Sequence, residues 1–180
     1  MSQNKFLIVV DMQKDFIDGS LGTQEAQAIL PRVIQRVRAA REAGETVIAT
    51  LDTHQENYLE TAEGKKLPVP HCIQGTEGWR IPPALMKELE GCQLVEKPTF
   101  GSLRLPQIIG ALSQEGQPLS IELLGLCTDI CVVSNALLLK AHFPEADMAV
   151  NAACCAGVTP EKHEAALKTM ESCQIRVVDH

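Results

Sequence analysis

Residues 29–51 read ILPRVIQRVRAAREAGETVIATL. Apolar residues at 29, 30, 33, 34, 37 and 40 recur with the period of a helix, so a helix is expected over 29–43. Gly44 is placed as its C-terminal stop. TVIATL, residues 46–51, then reads as a short buried strand. The same alternation extends in both directions. Upstream, KFLIVV (5–10) is another strand. Downstream come a short helix at 82–90, a strand at 92–95, a helix at 103–115, a strand at 119–125, a helix at 130–142 and a strand at 147–151. Thr159 and Pro160 suit the N-cap and first position of a helix running to 172, and QIRVV (174–178) closes the series. Residues 53–80 are polar, carry LPVP and read as a long loop, the kind that serves a site or a lid. Strands alternating with helices predict an α/β fold with a parallel sheet covered on both faces. No linker or repeat divides residues 1–180, so one domain is expected.

Composition agrees. The chain has 180 residues, 45% of them hydrophobic, enough for one core that buries roughly 70% of the unfolded surface. No apolar run approaches the ~20 residues of a membrane span, and none reads as a secretory segment. The formal charge is -7, and no basic cluster is present to hold a nucleic-acid backbone. Seven cysteines, at 72, 92, 127, 131, 154, 155 and 173, are an odd number without a CxxC spacing. They point to a reducing, cytoplasmic setting with most thiols in the core.

In a parallel sheet, ligands gather at the carboxyl ends of the strands. Asp11 follows the first strand, Asp52 the second and Lys97 the third, and the fourth leads through Gly125 and LCTD to Cys131. As an isolated residue Cys131 is a small core side chain, Asp11 a strand-ending carboxylate and Lys97 a surface cation. Together they make a nucleophile, an acid–base group and a cation on one edge. Cys131 near a helix N-terminus, with an ammonium beside it, is expected to favour the thiolate. Asp52-x-His54 in an extended segment points both side chains one way, and His71 follows the stiff LPVP. Two imidazoles and a carboxylate suit a divalent transition metal; zinc, iron and manganese all fit. Glu63, in the same loop, is a further candidate ligand. Phe16 and Phe100 follow Asp11 and Lys97 closely and fit either the core or the wall of a flat-ring pocket.

These motifs resemble the isochorismatase-like cysteine hydrolase superfamily and, within it, the nicotinamidase (pyrazinamidase) branch. The matching elements are IVVDMQKDF, LDTH, PHC, EKPTFGS and GLCTDICV, in this order along the chain. The resemblance implies a Rossmann-like three-layer sandwich with a six-stranded, mostly parallel sheet. It implies an Asp11–Lys97–Cys131 triad and a cis peptide between Leu126 and Cys127. It also implies an oxyanion hole made by the N–H groups of Cys127 and Cys131. The implied activity is metal-dependent hydrolysis of nicotinamide to nicotinate and ammonia, in a homo-oligomer. Other members hydrolyse other small amides or carbamoyl and ureido compounds, and a non-catalytic ligand-binding role on the same fold is the remaining alternative. The isochorismate-cleaving branch typically lacks the nucleophilic cysteine. Cys127 is a departure, since alanine is usual before the TD pair.

Overall fold

The computed structural model describes residues 4–180. Six strands form one sheet: β1 (Lys5–Val10), β2 (Thr46–Asp52), β3 (Gln93–Lys97), β4 (Ser120–Leu126), β5 (Asp147–Ala156) and β6 (Arg176–Val178). Their order is β3-β2-β1-β4-β5-β6, and every pairing is parallel. β1 is buried from Phe6 to Val10, as expected of a strand covered on both faces. The chain steps outward from β1 to β3, then returns to the other side of β1 and steps outward again. Right-handed crossovers therefore place the two sets of helices on opposite faces. The crevice between β1 and β4 is the point where the strand order reverses, which is where α/β sheets bind ligands.

The helices are α1 (Lys14–Ile17), α2 (Gln24–Glu42), α3 (Ala62–Lys66), α4 (Pro83–Glu88), α5 (Arg104–Leu112), α6 (Val133–His142) and α7 (Pro160–Ser172). α2 packs on α4 and lies against β2, β4 and β5, while α6 packs against both α5 and α7. α2 begins five residues before the sequence expectation. The Thr23 side chain caps it by accepting from the Ala26 N–H, and Ala26 is its first buried contact. An opening turn of Gln, Glu and Ala has too little apolar contrast to show the period. α7 starts as read, with Thr159 accepting from the Lys162 N–H. The span 53–80 is more structured than a loop. It holds a 3-10 turn at Tyr58–Glu60, helix α3, and a bridge between His54 and Ile73. Among the described residues no helix is long and apolar enough to cross a membrane.

β1 and β4 approach closely at Gly125. Its φ is +122°, and a Cβ there would collide with the Val10 carbonyl. Gly125→Ala should cost about 2–3 kcal/mol of stability, from overpacking combined with a disfavoured φ. Urea unfolding measures it, and an unchanged midpoint would contradict the close approach.

Candidate active site

Register sets the first three groups. Val10 of β1 lies opposite Thr50 of β2 and Gly125 of β4, and Asp52 lies opposite Lys97 of β3. Asp11, just past β1, is fully buried with φ +46°. Its N–H donates to the Thr50 carbonyl, and the Thr50 hydroxyl donates to its Oδ1 at 2.6 Å. Lys97 Nζ lies 2.6 Å from Asp11 Oδ2 and 3.4 Å from Cys131 Sγ, and also donates to the Thr99 carbonyl. The three side chains predicted from the strand ends therefore meet around one buried ammonium. Burial alone would neutralise Lys97, but the Asp11 and Asp52 carboxylates outweigh it and hold the ammonium protonated. Burial pushes the Asp11 carboxyl above its ordinary range, and Lys97 pulls it part of the way back.

The thiol differs from the expectation. Cys131 does not open an ordinary α-helix. It lies in a π-helical turn, Thr128–Val132, that leads into α6. Burial pushes its thiol well above the usual range and the nearby Asp11 charge adds to this, while Lys97 offsets only part. Burial and the Asp11 charge thus favour the thiol over the thiolate. The Leu126–Cys127 peptide is cis. Cys127 accepts the turn's N–H groups from Ile130 and Val132 at its carbonyl. Its own side chain is partly buried and lines the same cavity as Cys131.

Asp52 divides the site in two. Its Oδ1 is 3.7 Å from Lys97 Nζ, while its Oδ2 is 3.1 Å from His54 Nε2 and 3.5 Å from His71 Nε2. Burial works against its charge, but the two histidines and Lys97 prevail and hold its carboxyl well below the usual range. The ligand atoms of Asp52, His54 and His71 all lie within 4.8 Å of one another. Glu63, carried in by α3, brings Oε1 to 3.6 Å from both Nε2 atoms. His71 Nδ1 donates to the Val69 carbonyl at 2.8 Å, so Nε2 is the nitrogen turned to the cluster. Two imidazoles with one fixed tautomer and two carboxylates converging in a buried pocket fit a divalent transition metal.

Both halves open into a cavity of about 250 Å³. Asp52, Glu63, His71, Cys127 and Cys131 belong to its polar part; Leu21, Ala26, Leu126, Ile130 and Val158 are among its apolar walls. Phe16 and Phe100 both line it. Phe16 is 8% exposed and tilts against the His71 ring, whereas Phe100 is 44% exposed and sits at the rim. That volume suits a one-ring ligand better than a drug-sized one.

The model of the family described as Isochorismatase domain matches residues 5–180. The chain belongs to the isochorismatase family. It is similar to the nicotinamidase/pyrazinamidase of Mycobacterium tuberculosis, at 25% identity over 96% of this chain and 97% of that protein. It is also similar to a probable inactive nicotinamidase of Arabidopsis thaliana, at 28% identity over 97% and 91%. Among solved structures, a pyrazinamidase of Pyrococcus horikoshii in complex with zinc matches it with a TM-score of 0.80 and 27% identity, covering 98% and 99% of the two chains. These likenesses place this isochorismatase-family chain on the nicotinamidase branch, among amidohydrolases.

Several residues that build this isochorismatase-family site are not among those predicted. Thr50 orients Asp11; its signal is a hydroxyl near the carboxyl end of the otherwise aliphatic TVIATL run. Gln13 is fully buried and clasps Asp52 by its backbone, accepting from the Asp52 N–H at 2.8 Å and donating to its carbonyl at 2.9 Å. Tyr58 packs its ring edge-on against His54 and His71, with centroids 4.8 and 5.0 Å away. Burial pushes its phenol up to about 12, so it stays neutral beside the cluster. Asp15 Oδ2 accepts from the Cys72 N–H at 2.8 Å and so anchors the residue after His71.

Proposed function

We propose that this protein is a metal-dependent cysteine amidohydrolase that converts nicotinamide to nicotinate and ammonia. The observation that carries the reading is the position of Lys97 Nζ, between Asp11 and Cys131 and one carboxylate away from the His54–His71 cluster.

The ring enters between Phe16 and Phe100, with its carboxamide over Cys131. No hydroxyl or amide of the described residues satisfies Asp11 Oδ2, leaving this oxygen to the ion pair and free to take a proton. Its raised proton affinity suits the transfer. The Cys131 thiol passes its proton to Asp11 as Sγ bonds to the amide carbon, and the carbonyl π electrons move onto oxygen. The N–H groups of Cys127 and Cys131 hold that oxyanion. Asp11 then gives the proton to the amine, the C–N bond breaks, and ammonia leaves a thioester on Cys131. Water, deprotonated by Asp11, attacks the thioester. The C–S bond breaks, Asp11 returns that proton to Sγ to restore the thiol, and the acid departs as nicotinate with its carboxyl proton released to solvent. Lys97 keeps its proton throughout and holds the Asp11 and Cys131 charges in place. Asp52, His54, His71 and Glu63 would hold the divalent metal, which when bound supplies a Lewis acid for the ring nitrogen and so orients the ring. The reading carries with it a cytoplasmic homo-oligomer with no nucleic-acid partner.

Chelation should abolish ammonia release, and zinc, iron or manganese should restore it. His71→Ala should weaken metal retention at least about 100-fold, a loss read by metal analysis after dialysis as well as by turnover. Full activity in chelated protein, or metal retained by the variant, would contradict the proposed role of the cluster.

A further inference from the structure

We propose that Asn135 is a positioning residue that locks the Cys131 turn to the segment carrying Lys97 and Phe100. Asn135 lies in the first turn of α6, is fully buried, and is not among the residues lining the cavity. Its Nδ2 donates to the Cys131 carbonyl at 2.8 Å and to the Phe100 carbonyl at 3.2 Å. Its Oδ1 accepts from the Ser102 N–H at 2.9 Å. Those partners fix the amide's orientation, because two of them can only accept and one can only donate. No other neutral side chain of that size offers two donors and an acceptor in this geometry.

The two segments it joins are the two that must keep register for the chemistry. One is the π turn with Cys131. The other leaves β3 at Lys97 and runs through Thr99, whose carbonyl receives the Lys97 ammonium, and Phe100 to Ser102. Ser102 then starts α5 by accepting from the Leu105 N–H at 3.2 Å. Lys97 Nζ to Cys131 Sγ, at 3.4 Å, is a link between the same segments inside the site. Asn135 supplies a second, neutral link behind it. A backbone need explains why it falls here. Where a π turn meets an α-helix, the i→i−4 ladder shifts by a residue, and the Cys131 carbonyl lies at that junction.

The inference rests on Cys131 being the nucleophile, so Cys131→Ala is assayed in parallel. Asn135→Leu keeps the volume and removes all three bonds. Its kcat should fall about 100-fold, the scale of an ångström-sized misplacement of reacting groups, a larger change than any in KM, with bound metal unchanged. The pH profile of Cys131 alkylation by iodoacetamide should move upward, because Lys97 no longer sits against the sulfur. Asn135→Ser, smaller and able to donate one bond, should lie between the leucine variant and the native protein, and it serves alone if the leucine variant does not fold. A folded, metal-containing variant with native kcat and a native alkylation profile would overturn the proposal even where its melting temperature drops. Turnover retained in Cys131→Ala would instead overturn the reading of the site.

Discussion

Replacing Cys131 by alanine should lower ammonia release from nicotinamide by at least about 10⁴-fold while leaving the fold and the metal cluster intact. The size follows from covalent catalysis: without Sγ there is no thioester, and removal of a nucleophile typically leaves only the residual contribution of binding and oxyanion donors. Stability should change little, because Cys131 is a small side chain in a cavity wall and its thiol carries no charge at rest. Lys97 keeps its pairing with Asp11 at 2.6 Å, so the variant leaves no buried charge alone. Nicotinamide should still bind, measurable by calorimetry on the metal-loaded variant. One relative of this chain is named as a probable inactive nicotinamidase, so the informative comparison is between native and alanine forms of this protein. Equal turnover in the two would remove Cys131 from the mechanism.

Asp11→Asn should cost about 10²–10⁴ in kcat, the usual weight of a general acid–base group. The amide is nearly isosteric and can still receive the Thr50 hydroxyl at its oxygen, yet it can neither take the thiol proton nor give it to ammonia. Unlike the cysteine variant it should also destabilise. Lys97 is 1% exposed, and its next carboxylate, Asp52, is 3.7 Å away. Losing one partner of a buried ion pair typically costs about 3–5 kcal/mol. Loss of activity and stability together in this variant, against loss of activity alone in Cys131→Ala, distinguishes the two roles. The stability arm is read by urea unfolding. An Asp11→Asn protein that turns over normally would contradict the assignment.

The sheet was legible because strands covered on both faces are written as unbroken aliphatic runs, as in KFLIVV, and Asp11, Asp52 and Lys97 could be placed by where those runs stop. What stayed hidden has physical causes. The opening of α2 is polar and alanine-rich, and its start depends on the Thr23 cap. The structure within residues 53–80 comes from short turns whose stability is tertiary: Tyr58 is buried against the histidines, and its hydroxyl donates to the Leu67 carbonyl at 2.9 Å. A π turn leaves no periodic trace in a stretch as short as TDICV. The thiol's rise was missed because sequence position indicates a nearby helix end but not the extent of desolvation. Thr50, Gln13 and Asn135 act on groups of distant segments, and such pairings appear only once the strands are in register.

The most direct test is release of ammonia and nicotinate from nicotinamide by the purified, metal-loaded protein, with Cys131→Ala as the blank. The account predicts equimolar products from the native protein and none above background from the variant. No release from native protein whose Asp52–His54–His71 site is shown by analysis to hold its metal would contradict it.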